Sequence, residues 1–407
     1  MATTEMSADR QVDNLIRRRI AELEETPFAP QADLPFIVAD GTKLRRQHHQ
    51  WMQFLPRIQP FYAVKCNPDV HLLRFLADLG LGFDCASLSE IQLVLGLGVD
   101  PSRIIFSHPC KAVSTLQMAS SRGVTLATFD NSDELDKIKN VSPSMRLLLR
   151  IYAQDDTARV SLGKKFGAAP LATHSLLSKA RALGLKVVGI SFHIGSAASE
   201  PNAFPIAVRD ARRAFDQGRD MGFDMTILDV GGGFQDSNFD LMAPTLRVAV
   251  EEEFPSRHVR IIAEPGRFYA RSYYTLASKV ISRRNHSSGA GFSQVGMLYQ
   301  NDGIYGCFMN KVTEDEAFVP TLISVDKGHG VPRGQGKHCY SVWGPTCDSV
   351  DCITDRATLH SEALVGDWLK YENMGSYSAA SATSFNGFPN TYEIFYVNHR
   401  MLSRKET

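Results

Sequence analysis

Cysteine is scarce in this 407-residue sequence, and the seven present fall into no disulfide or zinc spacing. An odd number scattered through apolar stretches argues for reduced thiols in an intracellular, cytoplasmic setting. Cys347 and Cys352 do not make a Cys-X-X-Cys pair, and no His/Cys cluster has zinc-like spacing, so no metal site is expected. Charge of one sign is equally wanting: Lys plus Arg and Asp plus Glu both number 44. That balance supplies no basic face for nucleic acid and no patch for an anionic membrane. Residues 1–25 are polar and charged, with Val12, Ile16, Ile20 and Leu23 spaced as an amphipathic helix. Neither a signal peptide nor a membrane span is expected from such a segment. There is no internal repeat and no low-complexity tract.

The chain does have length and apolar content. At 407 residues and 43% apolar it exceeds one hydrophobic core, so two domains are expected. Eight short apolar runs occupy 61–64, 82–85, 103–106, 125–129, 146–151, 187–192, 226–230 and 259–263. Helix-like stretches separate them, among them 71–79, 89–97, 171–183 and 206–221. Strands alternating with helices imply a parallel sheet, and eight units fit a closed (β/α)8 barrel over 41–270. An open doubly wound sheet is the alternative. Lys65, Asp84, Asp130, Arg150, His193, Gly231–Gly233 and Glu264 all fall at or just past the C-terminal end of a run. Barrel enzymes gather their chemistry on that face, and closure makes the first and eighth strands neighbours.

Beyond about residue 269 the helical period fades into short alternating segments at 273–281, 296–299, 321–325, 340–343, 366–371 and 391–397. They predict a mostly β domain over 271–407, joined by a strand from 30–40 and preceded by a helical arm over 1–29. Stretches 282–294 and 327–338, rich in Gly and Ser or in charge, read as loops.

Lys65 follows the apolar Phe61-Tyr-Ala-Val64 and precedes a turn. A desolvated lysine loses its charge readily and becomes a carbonyl-directed nucleophile; otherwise a strand-end lysine simply reaches for solvent. Gly231-Gly232-Gly233 either makes a tight turn or turns backbone N–H groups toward an anion, with Arg267 adding charge. Glu264 is either the ion-pair partner of Arg267 or a carboxylate that keeps a pyridine nitrogen protonated. His193 and Ser196 are strand-end residues suited to a ring face and to phosphate.

The motifs Tyr62-Ala-Val-Lys65-Cys-Asn, Gly82-Phe-Asp84-Cys-Ala-Ser, Ser191-Phe-His193-Ile-Gly-Ser196 and Leu228-Asp-Val-Gly-Gly-Gly233-Phe resemble eukaryotic ornithine decarboxylases. So do Ala263-Glu264-Pro265-Gly266-Arg267-Phe-Tyr, Trp343-Gly-Pro-Thr-Cys347-Asp348 and Gly366-Asp-Trp-Leu-Lys-Tyr-Glu-Asn-Met-Gly-Ser-Tyr377. The resemblance runs in order from about residue 35 to residue 398. It implies a barrel plus β domain, a homodimer with shared active sites, and pyridoxal 5'-phosphate as cofactor. By the same resemblance Lys65 would hold the cofactor covalently. Asp84, Arg150 and His193 would support it, and Glu264 would meet the pyridine nitrogen. Ser196, Gly231, Gly232, Gly233, Pro265, Gly266, Arg267 and Tyr377 would line the phosphate. Cys347 and Asp348 would come from the other subunit, Cys347 to protonate the α-carbon. Lys165 and Asp351 match a pair that bridges subunits. Tyr305, Phe385, Thr313, Glu314 and Asp348 would face the substrate.

Departures from the family pattern cluster around the substrate tail. Counting forward from Tyr305-Gly306, Thr313-Glu314 stands where the family has Tyr-Asp, and Ser349 and Ala197 replace glycines. The substrate expected is therefore ornithine, or a related basic amino acid such as arginine, lysine or an N-substituted diamino acid of specialised metabolism. The family also contains inactive, antizyme-binding regulators, but Lys65, Glu264, Arg267 and Cys347 all remain here. The 111–138 segment carries few basic residues, which argues against antizyme binding. A racemase would need a second base where Cys347 stands.

Overall fold

The computed structural model describes residues 2–154, 158–160, 162–198, 200–284, 295–325 and 333–399. The chain separates into two compact units, Arg45–Tyr269 on one side and Met1–Leu44 with Ala270–Thr407 on the other.

In the first unit eight parallel strands close into a barrel. They are Ile58–Ala63, Gly82–Cys85, Ile104–Phe106, Leu126–Phe129, Arg146–Arg150, Lys186–Ser191, Ile227–Asp229 and Arg260–Ala263. The eight apolar runs thus form the eight staves, and the open doubly wound alternative falls. Closure comes through Ile261, Ile262 and Ala263 pairing with Ile58, Gln59 and Pro60. Seven strands each contribute one residue to a single buried cluster: Phe61, Ile105, Leu126, Leu148, Val188, Ile227 and Ile262. The remaining strand instead makes room, since a Cβ at Gly82 would sit 2.5 Å from the Phe61 ring. Local signals start the intervening helices where the sequence places them. Ser87 caps the next helix by accepting the Glu90 N–H at 3.2 Å, while Glu90 reaches back past it to the Ala86 N–H at 2.6 Å, directly behind Asp84. Asn131 likewise accepts from the Glu134 N–H at 2.9 Å. A short antiparallel ribbon, Ala158–Val160 with Ser196–Ala198, carries Ser196.

The second unit is built on a mixed sheet. Its order is Thr321–Ile323, Trp368–Tyr371, Tyr274–Arg284, Gly296–Gln300, Gln335–Trp343, Cys352–Ser361. Phe36–Asp40 pairs antiparallel with Tyr274–Arg284 and parallel with Glu393–Val397. The helix Ala2–Glu25 buries Val12, Ile16, Ile20 and Leu23 against Phe36, Val38, Ala277, Ile323 and Trp368 of this unit.

Two expectations are corrected here. Residues 282–284 and 335–338 are strand rather than loop, while 285–294 and 327–332 lie outside the described residues. The strand Cys352–Ser361 escaped the sequence reading. Only Ile353, Ala357 and Leu359 of it are buried, and the exposed Asp355 interrupts their period-two row.

Candidate active site

Lys65 stands in a short turn, Val64–Cys66, directly after the first barrel strand. Val64 and Cys66 are fully buried, but the Lys65 side chain is 48% exposed, so of the two readings the buried strand delivers a lysine that still reaches solvent. It is oriented instead by charge. Its Nζ lies 3.9 Å from the carboxylate of Asp84, which is 2% exposed and takes a hydrogen bond from the Ser107 hydroxyl. The Ser107 carbonyl in turn accepts from Thr128 Oγ1 at 2.6 Å. The ends of the second, third and fourth strands are thereby tied beneath the lysine.

The eighth strand brings Glu264 to the same mouth. The Glu264 N–H donates to Gly231 O at 2.6 Å, and the Ala63 N–H donates to Pro265 O at 3.2 Å, joining strands seven, eight and one. Burial, then the carboxylates of Asp229 and Asp84, push the Glu264 acid well above the ordinary carboxylate value. Asp229 was not singled out from the sequence. It is fully buried, its Oδ1 accepts the Gly231 N–H at 2.9 Å, and burial pushes its acid up to about 7. Two desolvated acids side by side, Asp229 fully buried and Glu264 half-buried, resist ionising together, so the pair keeps a proton at neutral pH. Its only sequence signal is an acid closing an apolar strand immediately before three glycines.

This has a consequence for stability. The folded chain holds the Asp229 proton more tightly than the unfolded chain does. Its contribution is whole below the unfolded value of 3.8 and is lost as pH rises toward about 7. Thermal melts of the protein freed of small molecules should show stability falling across that window, and Asp229→Asn should flatten the fall. Equal slopes for the two proteins would remove Asp229 from this role.

His193 lies two residues past the end of the sixth strand. The Gly195 N–H donates to His193 Nδ1 at 3.0 Å, which leaves the ring proton on Nε2. Burial, followed by the charges of Arg150 and Lys65, holds its pKa well below the usual histidine value. The ring is therefore neutral and flat at the mouth. Glycines surround it by necessity: a Cβ on Gly232 would lie 2.7 Å from His193 Nε2 and 2.8 Å from Glu264 O. Gly195, Gly231 and Gly233 adopt positive φ of 84°, 65° and 105°. Arg267, 3% exposed, directs NH2 toward Ser196 Oγ at 3.4 Å. Gly266 lets this loop approach the first strand, since a Cβ there would be 2.9 Å from Cys66 Cβ.

The remaining predicted residues belong to the β unit. Tyr305 donates to Asp348 and stacks on Phe385, with centroids 4.2 Å apart. That phenol, with the Val350 N–H, holds the Asp348 carboxyl below its usual value. Cys347 is exposed, and its N–H donates to Asn386 Oδ1 at 3.0 Å. Tyr305, Cys347, Asp348 and Phe385 are thus gathered by three loops. Thr313 and Glu314 sit elsewhere in the sequence of this unit, on and after the short helix Asn310–Thr313, Thr313 exposed and Glu314 half-buried. Tyr377 has a positive φ of 54°, and its neighbour Ser376 O accepts from Asn310 Nδ2 at 2.9 Å. Lys165 is exposed over Phe166. Asp351 is 1% exposed and bonded inside its own chain. Ser107, Thr346 and Asn386, which position these groups, had no sequence signal beyond their neighbours.

The barrel mouth fits pyridoxal phosphate by its donor set. An amine stands ready for the aldehyde, a protonated acid pair for the pyridine nitrogen, a neutral ring for a face, and a side-chain-free loop with Arg267 for phosphate. Comparison with known proteins agrees. Residues 41–271 match the pyridoxal binding domain of pyridoxal-dependent decarboxylases. Ornithine decarboxylase of Neurospora crassa is 42% identical over 98% of this chain and 87% of its own. Decarboxylase flvG of Aspergillus flavus is 42% identical over 89% of this chain and 86% of its own. Arginine decarboxylase of Paramecium bursaria Chlorella virus superposes with TM-score 0.86 at 36% identity, covering 95% of this chain and all of that one. A lysine presented beside a desolvated acid pair, a glycine cradle and an extended likeness of this kind identify the chain as a pyridoxal-phosphate-dependent decarboxylase of the ornithine decarboxylase family.

Proposed function

We propose that the chain decarboxylates L-ornithine or a closely related basic amino acid, releasing CO2 and a di- or polyamine, as a homodimer with shared active sites. The observation that carries this reading is the gathering of Lys65, Glu264, His193 and the Gly231–Gly233 loop on one barrel mouth, while Asp348 supplies an ionised carboxylate for a basic tail.

Pyridoxal phosphate supplies the place for the electron pair left on the α-carbon when CO2 departs. Lys65 anchors the cofactor and releases the product amine. The Asp229–Glu264 pair, which holds its shared proton tightly, would keep the pyridine nitrogen protonated through Glu264. His193, Arg150 and Asp84 would support the cofactor, His193 offering its neutral ring to the cofactor's face. Gly231, Gly232, Gly233, Pro265 and Gly266 admit the phosphate, and Ser196, Arg267 and Tyr377 bind it. Cys347 and Asp348 enter from the second subunit, Cys347 returning a proton to the α-carbon and Asp348, with Tyr305 and Phe385, facing the tail. CO2 release from a panel of ornithine, lysine, arginine, diaminobutyrate and their N-alkylated forms tests the reading. No release from any of them would overturn it, and altered product chirality without release would favour a racemase.

Glu314 favours a second reading, a substrate of different tail length such as arginine or an N-substituted diamino acid. It stands where the family pattern has aspartate, one methylene shorter, and Thr313 precedes it. Glu314→Asp is expected to shift relative kcat/KM among tail lengths about ten-fold or more, the worth of a charge-assisted contact. An unchanged preference order across the panel would make Glu314 a bystander.

The 111–138 segment gives little support to antizyme docking. Lys111 has no exposed side chain and is spent on Glu134 at 2.9 Å, and Lys137 pairs with the same carboxylate at 2.6 Å.

A further inference from the structure

We propose that Asp351 is a positioning residue for the decarboxylation: one buried carboxylate that clamps the loop bearing Tyr305 to the loop bearing Cys347 and Asp348. This rests on the reading that those three residues serve the substrate. Asp351 is 1% exposed. One of its oxygens accepts the Ile304 N–H at 2.8 Å. The other accepts the Thr346 N–H at 3.0 Å and the Thr346 hydroxyl at 2.7 Å. Ile304 immediately precedes the phenol-bearing Tyr305, and Thr346 immediately precedes the thiol-bearing Cys347. A single group therefore fixes the backbone directly before both.

The surroundings are shaped to admit it. A Cβ on Gly303 or on Gly344 would collide with the carboxylate, so each loop carries glycine where it meets Asp351. The backbone closes the same turn, with the Gly344 N–H donating to Asp351 O at 2.8 Å and the Asp351 N–H to Asp348 O at 3.1 Å. Thr346 Oγ1 also accepts the Asp348 N–H at 3.4 Å, and Tyr305 donates to the Asp348 carboxylate across the junction. Charge-assisted bonds to a buried carboxylate are strong, and loss of any one leaves charge unpaired in a poor solvent, so the donors hold their places. A carboxylate offers about four acceptor sites, so these three donors of its own chain leave Asp351 able to meet Lys165 of a second subunit as well.

The test uses the cofactor-loaded enzyme with Asp351→Asn, Thr346→Val and, as control, Lys165→Ala. Three quantities are read: kcat and KM on the best substrate, amide hydrogen exchange in segments containing Ile304 and Thr346, and subunit assembly by sedimentation. For Asp351→Asn, kcat/KM is expected to fall about 10- to 100-fold, mostly through kcat, the size of effect that small misplacement of reacting groups produces. Exchange should accelerate in both segments together, with cofactor absorbance and assembly unchanged. Thr346→Val should move the same readouts less far, and Lys165→Ala, whatever it does to assembly, should leave exchange in the two segments unchanged. Wild-type kcat and exchange in Thr346→Val, which decides the matter should Asp351→Asn not fold, overturn the clamp. Lys165→Ala reproducing Asp351→Asn with loss of assembly overturns it in favour of a subunit bridge. A wild type that decarboxylates nothing overturns the functional reading and the positioning role with it. An active wild type with unaffected variants overturns the clamp alone.

Discussion

Lys65→Ala is expected to abolish turnover and to leave the protein without covalently held cofactor. The lysine is delivered by a buried strand, steered by an anchored carboxylate 3.9 Å away, and left accessible at the mouth. An alanine removes the lysine amine that would condense with an aldehyde, while Asp84, Glu264 and the glycine loop keep their places. Turnover should fall by roughly 10³-fold or more, since the remaining acid–base groups have no attached cofactor to act upon. Lys111, another lysine of the same barrel, is no substitute, because its amine is inaccessible and committed to Glu134. Absorbance near the visible edge, and borohydride trapping followed by peptide mapping, report the attachment directly. A mutant that retains the band and traps at another lysine would unseat Lys65 as the anchor.

The second large effect is recovery rather than loss. Lys65→Ala and Cys347→Ala proteins should each be nearly inactive, yet mixing them should restore a fraction of activity. In a two-fold symmetric dimer with shared sites, a mixed pair assembles one site lacking both groups and one site possessing both. Subunit exchange must be demonstrated alongside, for example by tagging one variant and recovering the other with it. If exchange occurs and activity stays absent, Cys347 and Lys65 serve one chain's site, or Cys347 has no part in the reaction.

The barrel was legible because its strands are short apolar runs and its polar residues fall at their C-terminal ends. Lys65, Asp84, His193 and Glu264 could be placed on one face by counting alone. What pattern did not carry is how each is held. Asp229 looks like an ordinary strand residue until closure of the barrel sets it against Glu264, and only then does its proton matter. Lys65 follows four apolar residues, yet it ends half-exposed, because the turn after the strand carries its side chain into the mouth. Cys352–Ser361 buries too few side chains to announce itself as a strand. Asp351 matched a family pattern for bridging subunits, and within its own chain its oxygens also accept from Ile304 and Thr346, bonds that depend on Gly303 and Gly344.

The pairing of Phe36–Asp40 sets a timetable for synthesis. This strand emerges before the barrel, but its two neighbours are Tyr274–Arg284 and Glu393–Val397, both made after the whole barrel. Closing contacts across such separations is slow, and an unpaired apolar edge invites association with other nascent chains meanwhile. The helix Ala2–Glu25, whose Val12, Ile16 and Ile20 later cover Phe36 and Val38, is made just before that strand and is the nearest means of shielding it during the wait. Shortening this helix should therefore depress the yield of folded enzyme from a translating ribosome more than it depresses the activity of the molecules that do mature.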